Sequence, residues 1–467
     1  MKIRPGHACA LALLIPFPAP GAAQRLGGGP AGRSLDGVWA SEGYGYVFEV
    51  KGLALKAFEV TTVSCIPTFT AGRQPDRPEG AEAAFKLSEA PVTFLVLTGS
   101  APDKKRLHMN GAASDILVHR LPAPLPACHH LVPDTPEKNF EVFAWSWAEQ
   151  YGFFGVRGVN WPKVVAENRP KVGPTTPSDS LFEILKGMIE PLEDAHTRIS
   201  APAINKQFHG SRKGPNRLEP SERPRAFEIV EQKYLRGPLR SWCMGQVQFG
   251  WLDGDVGYLR IKGFGRYTEE GSFESGLVAL EAALDSMFAD AGRLKGLVID
   301  VRLNGGGADP YGLAIAARLA TAQYEAYVKQ ARADRNDPTK WTAPQPSVVR
   351  PSARPGFKGK VVELIGIHSV SAAETFTQAL LNRSPKVTRI GENTQGVFSD
   401  VLGRHLPNGW QFGLPNERFV TNGKAYDGPG IPPDIEVPVF PKSDLEAGRD
   451  GALEKALEVL GVRGKGT

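Results

Sequence analysis

The chain has 467 residues, of which 41% are hydrophobic and 22% charged, and its 52 Gly and 39 Pro follow no repeat. This composition is typical of a globular protein of about three domains with many turns, and it excludes collagen-like, coiled-coil and broadly disordered chains. The net charge of +5 is small for this length, so no nucleic-acid partner is predicted.

The first residues have the layout of a cleaved secretory signal. Lys2 and Arg4 precede an apolar run over 8–17, and small residues stand at 21–23. This order predicts a signal peptide over 1–23 and a periplasmic or secreted mature protein. The apolar run is too short and too rich in proline for a membrane anchor, and no later stretch reaches 18 apolar residues, so no span is expected in the mature chain.

Three cysteines remain beyond the predicted signal: Cys65, Cys128 and Cys243. Exported proteins form disulfides, and Cys65 with Cys128 is a candidate pair that would staple the N-terminal region. A thiol nucleophile is the alternative, but none of the three lies in a glycine-rich turn that opens a helix.

The N-terminal half is predicted to change from strands to helices. Short alternating runs over 34–126 predict a small antiparallel β domain. Over 134–201, aromatic and aliphatic residues recur every three or four positions, which predicts a helical segment that carries a histidine motif. Residues 202–250 are polar, basic and rich in Gly and Pro, and they are predicted to form a loop or linker.

The C-terminal half alternates strands and helices. Nearly continuous apolar runs at Leu297–Val301 and Val361–Ile367 are followed by helical patterns, which predicts βα units and a mostly parallel sheet in an α/β core over 251–445. Residues 329–358 form a long polar excursion, interpreted as a lid or the rim of a cleft. A C-terminal helix is predicted over 446–467.

Two junctions at strand ends are candidates for chemistry, because α/β proteins place their sites there. Residues 300–307 read Asp-Val-Arg-Leu-Asn-Gly-Gly-Gly, and backbone N–H groups of such a turn can stabilise an oxyanion. A tight turn that needs positive φ is the alternative. Residues 367–374 place Ser371 where a strand enters a helix, but Ser371 with Glu374 also fits a capping box.

A nucleophilic serine needs a base and an orienting acid. His196, in the segment 191–199, is the best candidate base, although spacing alone leaves it one of several histidines.

Four ordered motifs resemble those of tail-specific, or C-terminal-processing, serine peptidases. They are residues 300–307, the Ser-Ala-Ala-Glu of 371–374, the Ile-Gly-Glu-Asn-Thr of 390–394 and residues 426–434. The Asp-Ala-His-Thr of 194–197 further resembles the tricorn-type branch, and the resemblance covers about 139–439. It implies an α/β core of the ClpP/crotonase type.

The resemblance also implies roles for single residues. Ser371 matches the nucleophile, while Ala372 and a glycine of the turn, Gly306, match the oxyanion-hole donors. The processing branch uses a Ser-Lys dyad, but Val397 stands where its lysine would be. A valine cannot accept a proton, so the base role goes to His196.

The matching orienting acid is Asp427. Because aspartate is shorter than the glutamate common in the tricorn-type branch, Glu417 and Asp400 remain alternatives. The resemblance therefore implies a serine endopeptidase that acts on a peptide or protein substrate through Ser371, His196 and Asp427, without a metal or organic cofactor.

Family members often carry a PDZ module after the histidine segment. Only about 55 residues separate 201 from 257, fewer than the roughly 80 that such a module needs, so it is predicted to be absent and the N-terminal β domain to gate or dock substrates. Two other functions remain open: an apolar-ligand carrier with a cleft lined by Phe398, Trp410 and Phe412, and an esterase or amidase that uses the same triad.

Overall fold

The N-terminal domain is a closed barrel of eight antiparallel strands. The structure, a computed structural model, describes residues 35–90, 92–214 and 217–462, so the predicted signal peptide lies outside the described residues. Each barrel strand pairs with its sequence neighbour, and β1 closes the ring against β8. Alternate side chains fill the interior, among them Trp39, Phe48 and Phe85. The strands are β1 Gly37–Ser41, β2 Tyr46–Lys51, β3 Ala54–Val60, β4 Cys65–Arg73, β5 Ala81–Leu87, β6 Thr93–Thr98, β7 Lys104–Met109 and β8 Ile116–Leu121.

A disulfide joins the barrel to the chain that leaves it. Cys65, at the start of β4, is bonded to Cys128 in the 3-10 turn Pro126–His129. The candidate pair proposed from the sequence is therefore formed, and Cys243 is a buried free thiol.

Three helices follow the barrel: α1 Pro136–Gln150, α2 Trp161–Asn168 and α3 Ser178–Ile189. Thr135 caps α1 by accepting from the N–H of Lys138, and Pro136 suits the first helical position. The aromatic residues that recur along α1 pack into one core; Phe143 and Trp147 both contact the ring of Phe412. This helical unit is thereby fixed to the C-terminal half of the chain.

The prediction of a loop over 202–250 is wrong in part. This stretch contains β10 Lys206–His209, α4 Arg223–Lys233, β11 Arg240–Trp242 and most of β12 Val247–Leu252, which follow β9 Arg198–Ala201. Helix α4 forms although it is strongly polar, because it buries Ala226, Ile229 and Val230, of which Ala226 and Val230 pack in one core with residues of strands such as β12.

The centre of the molecule is a mixed seven-stranded sheet in the order β11-β12-β13-β14-β17-β18-β23. The first three strands pair antiparallel, and β13, β14, β17, β18 and β23 are parallel, so the sheet is mostly parallel. Its elements beyond β12 are β13 Val256–Ile261, α5 Phe273–Phe288, β14 Gly296–Asp300, α6 Asp309–Leu319, β17 Val361–Ile365, α7 Ala372–Ala379, β18 Thr388–Gly391 and β23 Ile435–Glu436.

Helices cover both faces of this sheet. Leu297 and Ile299 of β14 lie in one core with α5, α6 and α7, whereas Val298 between them lies in a second core with α4 and the C-terminal helix α9 Gly451–Val459. This alternation explains why β14 is apolar up to Asp300 and β17 is apolar except for Glu363.

Two four-stranded sheets flank the central one. The first has the order β10-β9-β20-β19 and the second β16-β15-β21-β22. The polar excursion over 329–358 therefore contributes strand residues as well as loop. The strands are β15 Tyr324–Ala331, β16 Gln345–Val349, β19 Val401–His405, β20 Gln411–Pro415, β21 Glu417–Thr421 and β22 Lys424–Ala425. We call the central sheet, its helices and these two sheets the α/β core.

The chain ends with α8 Lys442–Ala447 and α9 Gly451–Val459. Asp450 caps α9 and also binds the buried guanidinium of Arg302, which in turn binds Asp300 at the end of β14. Within the described ranges, no helix has the length and apolar character needed to cross a membrane.

Candidate active site

The glycine turn after β14 lies directly against Ser371. Asn304 is fully buried; its Nδ2 donates to Ile261 O at 3.0 Å, and its Oδ1 accepts from the N–H of Gly306 at 2.8 Å. Gly306 has φ 95°, and a Cβ built on it would lie 2.7 Å from the Cβ of Ser371. Only glycine permits this approach, so the turn requires glycine at position 306.

Ser371 has a strained backbone at the junction of β17 and α7. Its φ of 58° and ψ of −121° are rare for a residue with a side chain. Such strain costs about 1–3 kcal/mol and collects at functional sites. A sharp strand-to-helix turn of this kind presents a nucleophilic hydroxyl above the sheet of α/β-hydrolases.

The two predicted oxyanion donors differ in their present partners. The N–H of Ala372 opens helix α7, and no hydrogen bond of this group is found among the described residues. The N–H of Gly306 is already donated to Asn304. The N–H of Ala372 is therefore free to donate to an oxyanion. The N–H of Gly306 would have to share its hydrogen between Asn304 and the oxyanion, or break its bond to Asn304.

Glu374 connects Ser371 to the segment Gly396–Val397, which we call the central segment. Its fully buried carboxyl accepts from the N–H of Ser371 at 3.2 Å, of Gly396 at 2.7 Å and of Val397 at 2.9 Å. Burial raises the pKa of Glu374 to about 7, although these N–H groups oppose the shift. Ser371 N–H also donates to Val397 O at 3.2 Å, so the serine is held from two sides.

His196 lies in a turn that Asp194 organises. One carboxyl oxygen of Asp194 accepts from the backbone N–H of His196 at 2.9 Å, and the other accepts from the hydroxyl of Tyr151 at 2.9 Å. The imidazole is largely buried, its Nδ1 has no hydrogen-bond partner, and burial lowers the pKa of His196. The neutral imidazole that a general base requires is thereby favoured.

Arg157 brings the histidine turn to the central segment. Its guanidinium lies 3.4 Å from the carboxyl of Asp194 and donates to Gly396 O at 2.9 Å. The same carbonyl accepts from the N–H of Gly428, next to Asp427, at 2.9 Å. The turns of His196, Ser371 and Asp427 therefore all dock on Gly396 and Val397.

Asp427 is buried, and its Oδ2 has no hydrogen-bond partner. Burial raises the pKa of Asp427 well above its usual range, and the carboxyls of Glu374 and Asp194 raise it further. No hydrogen bond joins the side chains of Ser371, His196 and Asp427 to one another. The structure thus assembles the three turns but leaves Nδ1 of His196 and Oδ2 of Asp427 without a partner.

The two alternative acids share a different partner. Lys329 Nζ lies 2.6 Å from Asp400 Oδ2 and 3.2 Å from Glu417 Oε1. Glu417 also accepts from the hydroxyl of Tyr44 at 2.6 Å. Both carboxyls therefore bind Lys329, Asp400 through one oxygen only, and the charge of Asp400 also acts on His196.

The structure also answers two other hypotheses from the sequence. Burial raises the pKa of Cys243 to about 11, which disfavours the thiolate that a nucleophile requires. Phe398, Trp410 and Phe412 are buried in two packed cores rather than along a cleft, so the proposed apolar cleft is not formed by them. The positioning roles of Arg157 and Lys329 had no signal in the sequence, because each is a single basic residue outside any motif.

Comparison with known proteins points to hydrolysis of peptides. The model of peptidase family S41 matches residues 255–437, which include Ser371, Gly306 and Asp427 but not His196. Among proteins with curated descriptions, none matches this chain.

Solved structures share the fold beyond that range. A protein from Parabacteroides merdae, provisionally assigned as a peptidase, is 27% identical, with 72% of this chain and 98% of that protein covered and a TM-score of 0.59. Mature CPAF complexed with lactacystin is 12% identical, with 70% of this chain and 97% of that chain covered and a TM-score of 0.50, which indicates a common fold.

Proposed function

Because the chain belongs to peptidase family S41 and is a serine peptidase, we propose that it is an endopeptidase in which Ser371 attacks the peptide carbonyl, His196 is the general base and Asp427 orients the imidazole. The resemblance to tail-specific peptidases is thus confirmed at the level of the family. The substrate is a peptide or protein.

The chemistry follows from the arrangement. The imidazole of His196 takes the hydroxyl proton as Ser371 Oγ bonds to the carbonyl carbon, and it returns that proton to the leaving amine. The N–H groups of Ala372 and Gly306 stabilise the oxyanion, and loss of one such donor costs about 3 kcal/mol. Water then releases the acyl group from Ser371.

The observation that carries this proposal is the backbone of Ser371. A capping serine needs ordinary extended dihedral angles, whereas Ser371 has φ 58° and ψ −121° and is in contact with Gly306. Strain of this kind persists only where the surroundings enforce it. The capping box of Ser371 with Glu374 is formed, but a cap does not require these dihedral angles, whereas a nucleophile held beside an oxyanion site accounts for them.

Two further observations support His196 as the base. Val397 is buried at the position where the processing branch places its lysine. His196 Nδ1 and Asp427 Oδ2 are both buried without a partner, which is costly unless the two atoms pair. Catalytic hydrogen bonds are often long in unliganded enzymes and tighten when substrate binds.

We also propose that the core has the ClpP/crotonase arrangement and that the protein is periplasmic or secreted after removal of residues 1–23. The Cys65–Cys128 disulfide supports export, since such bonds persist in oxidising compartments. Intact mass of the protein recovered from the producing cells tests it: a mature chain that starts near Gln24 supports export, and a retained Met1 contradicts it.

Labelling with a fluorophosphonate tests the nucleophile and the base. We expect the wild type to be labelled on Ser371, and Ser371→Ala and His196→Ala to lose labelling. His209→Ala, which removes an exposed imidazole on β10, is the matched control and should label normally. Cleavage of an unfolded protein by the wild type alone separates a peptidase from an esterase. A wild type that stays unlabelled while a control hydrolase reacts would refute the proposal.

A further inference from the structure

A cavity of about 210 Å³ lies where the mouth of the barrel meets the α/β core. The barrel supplies one wall, and residues around β19 and the start of β21 supply the other. The interior of the barrel itself is filled, since the space at its centre is only about 20 Å³. The room for a ligand is therefore at the interface, and neither domain forms it alone.

The barrel wall of the cavity is apolar. It includes Tyr46, Phe48, Phe69, Phe94, Leu107 and Met109. An apolar cavity of about 150 Å³ is large enough for a benzene molecule. This cavity therefore has room for an aromatic ring with a short chain attached.

The opposite end of the cavity carries charge. Lys329, Asp400 and Glu417 all line it, and the ammonium of Lys329 lies between the two carboxyls. Asp400 binds Lys329 through Oδ2 only; its other oxygen makes no hydrogen bond, and 58% of the side chain remains accessible.

The charged end of the cavity favours a cationic ligand over an anionic one. Burial would raise the pKa of Asp400, but the ammonium of Lys329 outweighs burial and lowers it, so Asp400 is a carboxylate. Lys329 is already compensated by two acids, whereas Asp400 has an oxygen to spare. A cation or hydrogen-bond donor completes this set, and a second anion would be repelled.

We propose that the cavity binds a bulky apolar group that carries a cationic head, with Asp400 as the counter-ion of that head. Two sources have this chemistry: a free aryl or alkyl amine, and the N-terminal residue of a peptide with a large apolar side chain. The second source rests on the proposed peptidase function and would direct cleavage to a bond near the N-terminus of such a substrate.

The position of Asp400 suits a substrate. Val397 accepts from the N–H of Ser371, and Asp400 is three residues further along the chain. Three residues span at most about 11 Å. With the 3.2 Å hydrogen bond between Val397 and Ser371 added, a peptide whose ammonium group binds Asp400 would reach Ser371 within about four extended residues.

A matched ligand pair tests binding without any need for activity. Phenethylamine and 3-phenylpropionate have the same ring and chain length but opposite charge, and each is titrated into the full-length protein by calorimetry. We expect the amine to bind at least tenfold more tightly. Equal affinity, tighter binding of the acid, or no binding of the amine would overturn the proposal.

Variants locate the site. Ala112→Trp fills the cavity from its barrel wall and should abolish amine binding. Val278→Trp places the same bulk at a 71% exposed position on α5 and should leave binding intact. Asp400→Asn should weaken the amine at least tenfold and remove the preference over the acid. Unchanged amine binding in Ala112→Trp would refute the site even if Asp400→Asn failed to fold.

Peptides distinguish the two sources. The wild type is assayed with peptides that begin with Phe and have either a free or an acetylated N-terminus. An increase of at least tenfold in KM on acetylation, with kcat unchanged, assigns the site to the substrate. Equal KM values together with amine binding assign it to a free amine. If the protein cleaves no peptide, the proposed function fails while the calorimetric result still decides the cavity proposal.

Discussion

Gly306 and Ser371 approach so closely that no added atom fits between them. In Gly306→Ala the new methyl would lie 2.7 Å from the Cβ of Ser371 and 2.8 Å from Val370 O, on a backbone with φ 95°. We expect kcat to fall at least a hundredfold, because a shift of about 1 Å at a reacting group costs that much, and stability to fall by about 1–3 kcal/mol. Hydrolysis of an activated ester and urea unfolding measure the two effects.

The neighbouring glycine supplies the control. A Cβ on Gly305 would meet nothing within 4 Å, and the residue is exposed. Gly305→Ala should therefore keep activity and stability close to those of the wild type. Equal losses of activity and stability in Gly305→Ala and Gly306→Ala would show that the turn tolerates no added methyl group, whether or not the group contacts Ser371.

The burial of His196 has a consequence for pH dependence. Because burial lowers the pKa of this imidazole from its usual 6.5, the base form persists into mildly acidic solution and is lost only below that value. We expect the acid limb of the kcat/KM profile to have its midpoint below pH 6.5. A midpoint at or above 6.5 would show that the free enzyme holds His196 in a more polar setting.

Single residues were predictable where they stand in motifs. Ser371, Gly306 and His196 were predicted from ordered motifs; the structure brings the turns of Ser371 and His196 to Gly396 and Val397 and places Gly306 against Ser371. Arg157 was missed, because one arginine in a loop carries no pattern. Whether His196 and Asp427 hydrogen-bond depends on side-chain rotamers set by packing, which spacing along a chain does not determine.

Helix α9 is attached to the central sheet by one buried cation. Arg302 has no exposed side-chain surface, and it binds Asp450 through two bonds of 2.8 Å while also binding Asp300. Asp450 further accepts from the N–H of Leu453 as the cap of α9. The end of β14 and the C-terminal helix thus depend on the same carboxylate.

Two substitutions of Asp450 separate the stabilisation that its charge gives through Arg302 from the stabilisation that it gives as the cap of α9. Asp450→Ala should lower the free energy of unfolding by about 3–5 kcal/mol, because it leaves a buried charge without one partner. Asp450→Asn keeps a capping oxygen and should be milder by about 1 kcal/mol. Urea unfolding of both variants measures this order, and an equal loss in the two would assign the whole effect to the charge.

Helices and strands were predictable from the sequence where burial makes apolar residues recur at a regular spacing. The apolar strands β14 and β17 and the alternating barrel strands have such a period. Helix α4 was missed because its three buried positions are surrounded by Arg, Pro, Glu and Lys. Closure of the barrel was missed for another reason: β1 and β8 pair across a separation of about 80 residues, which no local pattern encodes.

At the scale of the whole molecule, the barrel is held against the α/β core by polar pairs. Glu59 accepts from the N–H of His405 at 2.8 Å and lies 2.8 Å from its ring nitrogen, and Tyr44 binds Glu417. The amide of Gln345 exchanges two hydrogen bonds with the backbone of Asp115. The cavity between the domains therefore has walls of fixed spacing.

The disulfide should stabilise the barrel by limiting its unfolded states. The bond closes 63 residues between Cys65 and Cys128, and a loop of that length corresponds to about 4 kcal/mol in the chain-entropy description. We expect a double substitution, Cys65→Ser with Cys128→Ser, to lower the melting temperature, and dithiothreitol to affect only the wild type. Equal melting temperatures without reductant would show that the barrel is stable without the bond.

The docking of three distant turns on Gly396 and Val397 also sets the time at which this protein becomes able to act. A ribosome delivers the histidine turn long before the serine, and Gly428, which completes the docking, emerges among the last 40 residues of the chain. Domains fold in the order of their synthesis. A chain that has not yet been synthesised as far as Gly428 therefore lacks one of the contacts that hold these turns together, and we expect the proposed active site to form only after that residue has been made.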